Sequence, residues 1–77
     1  MQAMHLRKIF AENLRRLRHA RGMSQEGLAQ AAELDRSYVS LMENERYSAS
    51  LDTIEKLAGV LEIQPAELLA PPASEPG

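Results

Sequence analysis

The stretch that most constrains this chain is Ser24 to Asn44, SQEGLAQAAELDRSYVSLMEN. It reads as two short helices and a turn. Ser24 is a good N-cap for the first, with Glu26 in the positive first turn, and Asp35 is an N-cap for the second, Arg36 to Glu43. Only Glu33 and Leu34 lie between them. So short a link forces a sharp crossing and leaves one helix to cover the other or to present it outward. The rest of the chain reads as what holds this pair.

Upstream, Leu6, Ile9, Phe10, Leu14 and Leu17 recur at the three- and four-residue spacing of an amphipathic helix. Gly22 suits the left-handed residue that ends it, with Arg18, His19 and Arg21 in or beside the last turn. In the second helix, about Gln25 to Ala32, the apolar face is Leu28, Ala29 and Ala32, and Gly27 weakens the helix by about 0.5–1 kcal/mol relative to Ala. In the third, Val39 and Met42 point inward, so Arg36, Ser37, Ser40, Leu41 and Asn44 face out. Glu45 to Ala49 is a polar loop. Ser50 caps a fourth helix, Leu51 to Leu61, with Leu51, Ile54, Leu57, Ala58 and Leu61 on its buried stripe. Pro65 suits the first position of a last short helix, Pro65 to Leu69, with Glu67 in its first turn. No β alternation, repeat or second domain is visible. An all-α, compact five-helix domain over residues 5–70 is expected, with a frayed start at Met1 to Met4 and a disordered tail over 71–77.

At 77 residues the chain is one domain near the lower end of what folds alone, where a core supplies about 3–5 kcal/mol. The composition, 44% hydrophobic but 4% aromatic with no Trp, suits a helical core of Leu, Ile, Val and Ala. There is no Cys, so no disulfide framework or thiolate metal site. No apolar run reaches the ~18 residues of a membrane span, and no apolar block follows the N-terminal charges as in a secretory signal. His5 and His19 lack ligand-spaced partners, so no metal is expected. Paired carboxylates, a nucleophile–base set and a Gly-rich phosphate loop are also missing; the chain does not read as an enzyme, and no cofactor is expected. The net charge of −2 conceals an asymmetry: His5 to Arg21 carries +5 and the remainder −7. An acidic protein of this kind still has a face of positive potential.

Arg21-Gly22-Met23-Ser24-Gln25-Glu26-Gly27-Leu28-Ala29, then Leu34-Asp35-Arg36-Ser37-Tyr38-Val39-Ser40, Glu43-Asn44, Ser50-Leu51 and Ile54 resemble the phage-repressor (lambda repressor/Cro-like) helix-turn-helix family. DRSYVS followed by a Ser-Leu helix start is most similar to the controller proteins of restriction–modification systems. The resemblance covers Ile9 to Leu69. Two positions depart from it. Glu33 stands where the family usually has Gly, because the residue there takes φ > 0, and Leu41 stands where many relatives carry a polar or small residue.

The resemblance implies a sequence-specific, double-stranded DNA-binding transcriptional regulator, cytoplasmic and bacterial or phage-encoded. It would act as a dimer on a palindromic operator, with recognition helix 35–44 in the major groove. Base contacts are expected from Arg36, Ser37, Ser40 and Leu41. Arg36 can fork onto guanine, the serines can meet a base or a phosphate, and Leu41 either touches a thymine methyl or is simply exposed. Phosphate contacts are expected from Gln25 at a helix N-terminus, from Asn44, Arg46, Tyr47 and Ser48 in the following loop, and from Tyr38, which otherwise packs on the second helix. Arg15 and Arg16 either reach phosphates or form a solvated face. Arg18 and Glu43 match a partly buried ion pair of relatives. The dimer contact is expected around Leu61, Ile63, Pro65, Leu68 and Leu69. No ligand domain is visible, so no small-molecule effector is expected. Two other functions share this fold: an antitoxin-type autoregulator that also holds a protein toxin, and a protein-interaction module without DNA binding, with which the acidic net charge agrees.

Overall fold

The computed structural model describes residues 5–71. The frayed start at Met1 to Met4 and, beyond Pro71, the tail expected over 71–77 lie outside the described residues. Within them the chain forms five helices and no strand: α1 Leu6–Ala20, α2 Gln25–Ala32, α3 Arg36–Glu43, α4 Leu51–Leu61 and α5 Pro65–Leu69. α1 packs against α3 and α5, α2 against α3 and α4, and α4 against α5. Leu14, Leu28, Val39, Met42, Leu57, Leu61 and Leu68 are fully buried where these helices meet, joined by Phe10, Ala29, Ala32, Ile54 and Ala58.

Four helices stop by the same device. After α1, the Met23 N–H donates to the Arg18 carbonyl (3.0 Å) and the Gly22 N–H to that of His19 (2.9 Å), with Gly22 at φ 66°. The same pair of bonds closes α2 around Glu33 (φ 58°), α3 around Glu45 (φ 62°) and α4 around Glu62 (φ 59°). These bonds satisfy carbonyls that have no partner inside the helix, and the left-handed residue turns the chain abruptly. After α2 the reversal places Leu34 against the core, which makes the two-residue link to α3 sufficient. Glu33 therefore does adopt the conformation that usually selects Gly.

Three expectations are corrected. Leu51 is 80% exposed: the first turn of α4 extends past the core, and the buried stripe begins at Thr53 and Ile54. Leu6 is 43% exposed for the same reason at the start of α1. Asp35 holds the N-cap position of α3 but its side chain makes no cap hydrogen bond, so it acts on the helix only through its charge.

α5 has five residues, too few to persist alone, and is fastened at both ends. A capping box joins Gln64 and Glu67 at its start, with the Gln64 N–H donating to Glu67 Oε2 at 3.0 Å. At its end the side chain of Asn13, 1% exposed, donates to the carbonyls of Glu67 (3.2 Å), Leu68 (2.9 Å) and Ala70 (2.8 Å).

Candidate nucleic-acid interface

The outer face of α3 presents Arg36, Ser37 and Leu41 as exposed side chains with Ser40 half-buried between them; with Asp35 they line one shallow concave surface. The inner face holds Val39 and Met42, both at 0% exposure, so α3 cannot rotate without opening the core. Asn44 is exposed and folds back: its Nδ2 donates to the Ser40 carbonyl at 2.9 Å. Arg46, Tyr47 and Ser48 follow as exposed loop residues. Tyr38 is half-buried against the core, and its ring meets that of Tyr47 edge-on, with centroids 5.1 Å apart. The Ser48 hydroxyl accepts from Arg7 Nε at 3.1 Å.

Glu43, at the last position of α3, is the point at which the neighbouring helices grip it. Arg18 reaches its carboxylate bidentately, Nε to Oε2 at 2.6 Å and Nη2 to Oε1 at 2.9 Å, and donates its remaining Nη1 to the Met23 carbonyl at 2.8 Å. Both residues are buried, at 7% and 2% exposure. Gln25, at the start of α2, donates Nε2 to Glu43 Oε1 at 3.0 Å, and Arg15 donates to the Glu43 backbone carbonyl at 2.6 Å. Burial pushes the Glu43 carboxyl up, but the hydrogen bonds from Arg18 and Gln25 and the charges of Arg18 and Arg15 outweigh it, so the group sits below its ordinary value of 4.5. The hydrogen bond to Glu43 raises Arg18 in turn, against its burial. Among the described residues no buried side-chain nitrogen or oxygen is left without a partner.

Gln25 thus has its amide turned toward Glu43, with Ser24 beneath it accepting the Gly27 N–H at 2.9 Å. Arg15 and Arg16 are both exposed and each is tied within the domain: Arg15 holds the end of α3, and Arg16 donates to Asn13 Oδ1 at 3.0 Å. Much of the positive run on α1 consists of such ties.

Of the expected dimer residues, Leu61 and Leu68 are corrected. They are 1% and 0% exposed inside one copy of the chain, because α4 and α5 close over each other. Ile63 and Leu69 are half-buried and Pro65 is exposed. Reading from the sequence missed Asn13. It stands in register with Phe10, Leu14 and Leu17, and a polar residue within an apolar stripe was the available signal.

Five helices in this order, the second and third joined by a left-handed turn and the third showing a free outer face, define a helix-turn-helix domain. The chain belongs to the helix-turn-helix family, whose model matches residues 14–68. It is similar to a hypothetical transcription factor of Neisseria meningitidis serogroup B, 45% identical over 67 residues, which are 87% of this chain and 63% of that protein. It thus spans less than two thirds of that relative's length. It is also similar to control protein C.BamHI of Bacillus amyloliquefaciens, 39% identical over 66 residues, 84% of this chain and 82% of that one. The crystal structure of the restriction-modification controller protein C.AhdI from Aeromonas hydrophila matches with a TM-score of 0.78 at 48% identity, covering 80% of this chain and 94% of that one. These relatives are transcription regulators and controllers, not enzymes.

Proposed function

We propose that this protein is a sequence-specific regulator of transcription that binds double-stranded DNA as a homodimer. α3 of each copy would enter successive major grooves of a roughly palindromic operator, about 34 Å apart. The observation that carries this reading is the fixed outward face of α3. Its inner side is locked by Val39 and Met42, its end is gripped at Glu43 from α1 and α2, and its free side chains are short or forked. Arg36 offers two parallel donors to guanine O6 and N7, Ser37 and Ser40 offer hydroxyls, and Leu41 offers an apolar surface to a thymine methyl. Asn44, Arg46, Tyr47 and Ser48 lie next along the chain, where they can follow the phosphate backbone, together with Tyr38, whose ring meets that of Tyr47. The backbone N–H groups of Gln25 and Glu26, ahead of the Gly27 N–H that Ser24 caps, would supply a further phosphate site. Ile63, Pro65 and Leu69, which are half-buried or exposed in one copy, would meet a second copy. Such a protein works in the bacterial cytoplasm.

A selection of bound sequences from random double-stranded DNA tests the reading. A roughly two-fold motif is expected, bound with a log–log salt slope of about −5 to −10, as for a dimer that displaces several counterions per half-site. In the same selection Arg36→Ala should relax one base preference while Arg46→Ala weakens every sequence alike. Recovery of no sequence, or a flat salt response, sinks the proposal.

A further inference from the structure

We infer that Asn13 is the positioning residue of the dimerisation face: from inside the protomer its amide fixes the carboxyl end of α5, and thereby Leu69. The inference rests on the homodimer reading above. One Nδ2 group, with two hydrogens, faces the carbonyls of Glu67, Leu68 and Ala70 at 3.2, 2.9 and 2.8 Å. Arg16 donates to the oxygen of the same amide at 3.0 Å, so its partners dictate which way the group points. The last carbonyls of any helix lack donors within it, and at the end of the five-residue α5 this one side chain supplies donors to the carbonyls of Glu67, Leu68 and Ala70.

Leu68 beside these carbonyls is fully buried, whereas its neighbour Leu69 and the preceding Ile63 are only half-buried. Ile63 is seated by its own N–H on the Ala58 carbonyl at 3.0 Å, so it is Leu69, the last residue of α5, that keeps its place through the seated end of α5. An amide suits the position because it brings two donors and no charge. A carboxylate would set an anion against three carbonyls at the negative end of a helix dipole. The DNA-reading end of the molecule does not share this tie, since α3 is held through Arg15, Arg18 and Gln25. Asn13 therefore acts on assembly and leaves the reading face alone.

The test compares Asn13→Asp and Asn13→Ser with the wild type by sedimentation and by amide hydrogen exchange on the full chain. The dimer dissociation constant should rise at least tenfold in both variants, with protection lost at Leu68 and Leu69 and retained across α2 and α3. Two controls separate assembly from general stability. Ala29→Gly, which weakens α2, should lower the melting temperature without moving the constant, and Leu69→Glu should break the dimer with α5 still protected. A folded Asn13→Ser variant within twofold of the wild-type constant overturns the proposal, as does an equal rise in Ala29→Gly. Should both Asn13 variants fail to fold, Arg16→Ala decides, with at least a twofold rise expected and no rise overturning it. A wild-type chain that stays monomeric at high micromolar concentration overturns the dimer reading itself and this inference with it.

Discussion

α1 reaches the rest of the molecule through two buried polar side chains, and they work in opposite ways. Arg18 is charged and meets another side chain, the Glu43 carboxylate at the end of α3, bidentately. Asn13 is neutral, and its amide hydrogens meet main chain alone, the carbonyls that close α5, while its oxygen accepts from Arg16. A side-chain partner can be removed by mutation, so the charged tie can be dismantled from both sides at once. A backbone carbonyl cannot, so the neutral tie can be lost but not exchanged. The helix proposed to read DNA is thus held in part by a replaceable device, the carboxylate tie beside the Arg15 bond to the Glu43 carbonyl, and the end of the helix proposed to assemble the dimer by bonds to carbonyls that cannot be exchanged.

The largest effect expected is at the charged tie. Glu43→Ala leaves the buried Arg18 guanidinium without its anion, and the loss should be about 3–5 kcal/mol in urea unfolding. Arg18→Met combined with Glu43→Leu should recover the part of that loss due to the unpaired charge, the Met23 carbonyl and the Gln25 amide still lacking their partners. A double variant as unstable as the single one would mean that the pair cannot be exchanged, and the contrast with Asn13 would fall. Acid gives a second handle on the same tie. The folded Glu43 carboxyl lies below its ordinary value of 4.5, so its contribution is complete above that pH and disappears as pH falls through the depressed folded value. Wild-type stability should therefore drop more on acidification than that of the apolar double variant, measured by urea unfolding along a pH series.

Asn13→Leu comes next, at about 1–3 kcal/mol, the cost of leaving buried carbonyls without donors. It differs from the Glu43 case in that no second substitution within α5 should recover it, because the orphaned groups belong to the backbone. Urea unfolding of Asn13→Leu alone and with Leu68→Met checks this. Recovery in the double variant would show that packing, and not the hydrogen bonds, is what Asn13 supplies.

How much of this was legible follows the same division. Apolar spacing together with the capping residues placed the first four helices, and Pro65 with Glu67 placed the fifth, because burial repeats with the turn of the helix and these residues mark its ends. Arg18 and Glu43 stand 25 positions apart, and only the family resemblance joined them. Apart from Arg16, the partners of Asn13 are carbonyls 54 to 57 positions away, which carry no residue identity at all, so nothing in the chain could announce them. Leu61 and Leu68 were assigned to the wrong surface for a related reason. An apolar residue states that it will be buried but not whether its own chain or a second copy covers it.

The smallest effect expected concerns the turns that bring these ties into place. Gly22 and Glu33 occupy the same left-handed position of the same motif, at φ 66° and 58°. The Gly22 turn also serves the charged tie directly, since it folds Met23 back so that its N–H and its carbonyl both meet Arg18. A Cβ built on Gly22 meets nothing within 4 Å, so Gly22→Ala tests the backbone alone and should cost about 1 kcal/mol. Glu33→Gly should act in the opposite direction. It relieves a left-handed glutamate at the price of a more flexible unfolded chain, for a net gain of about 0.5 kcal/mol. The pair makes a sharper comparison than either variant alone, because the motif is held constant and only its link to a buried tie differs. If Gly22→Ala costs clearly more than the conformational penalty, the excess belongs to Arg18 and should vanish in the Arg18→Met, Glu43→Leu background. Thermal unfolding of Gly22→Ala in both backgrounds measures that difference, and equal losses in the two would show that the turn and the charged tie are independent.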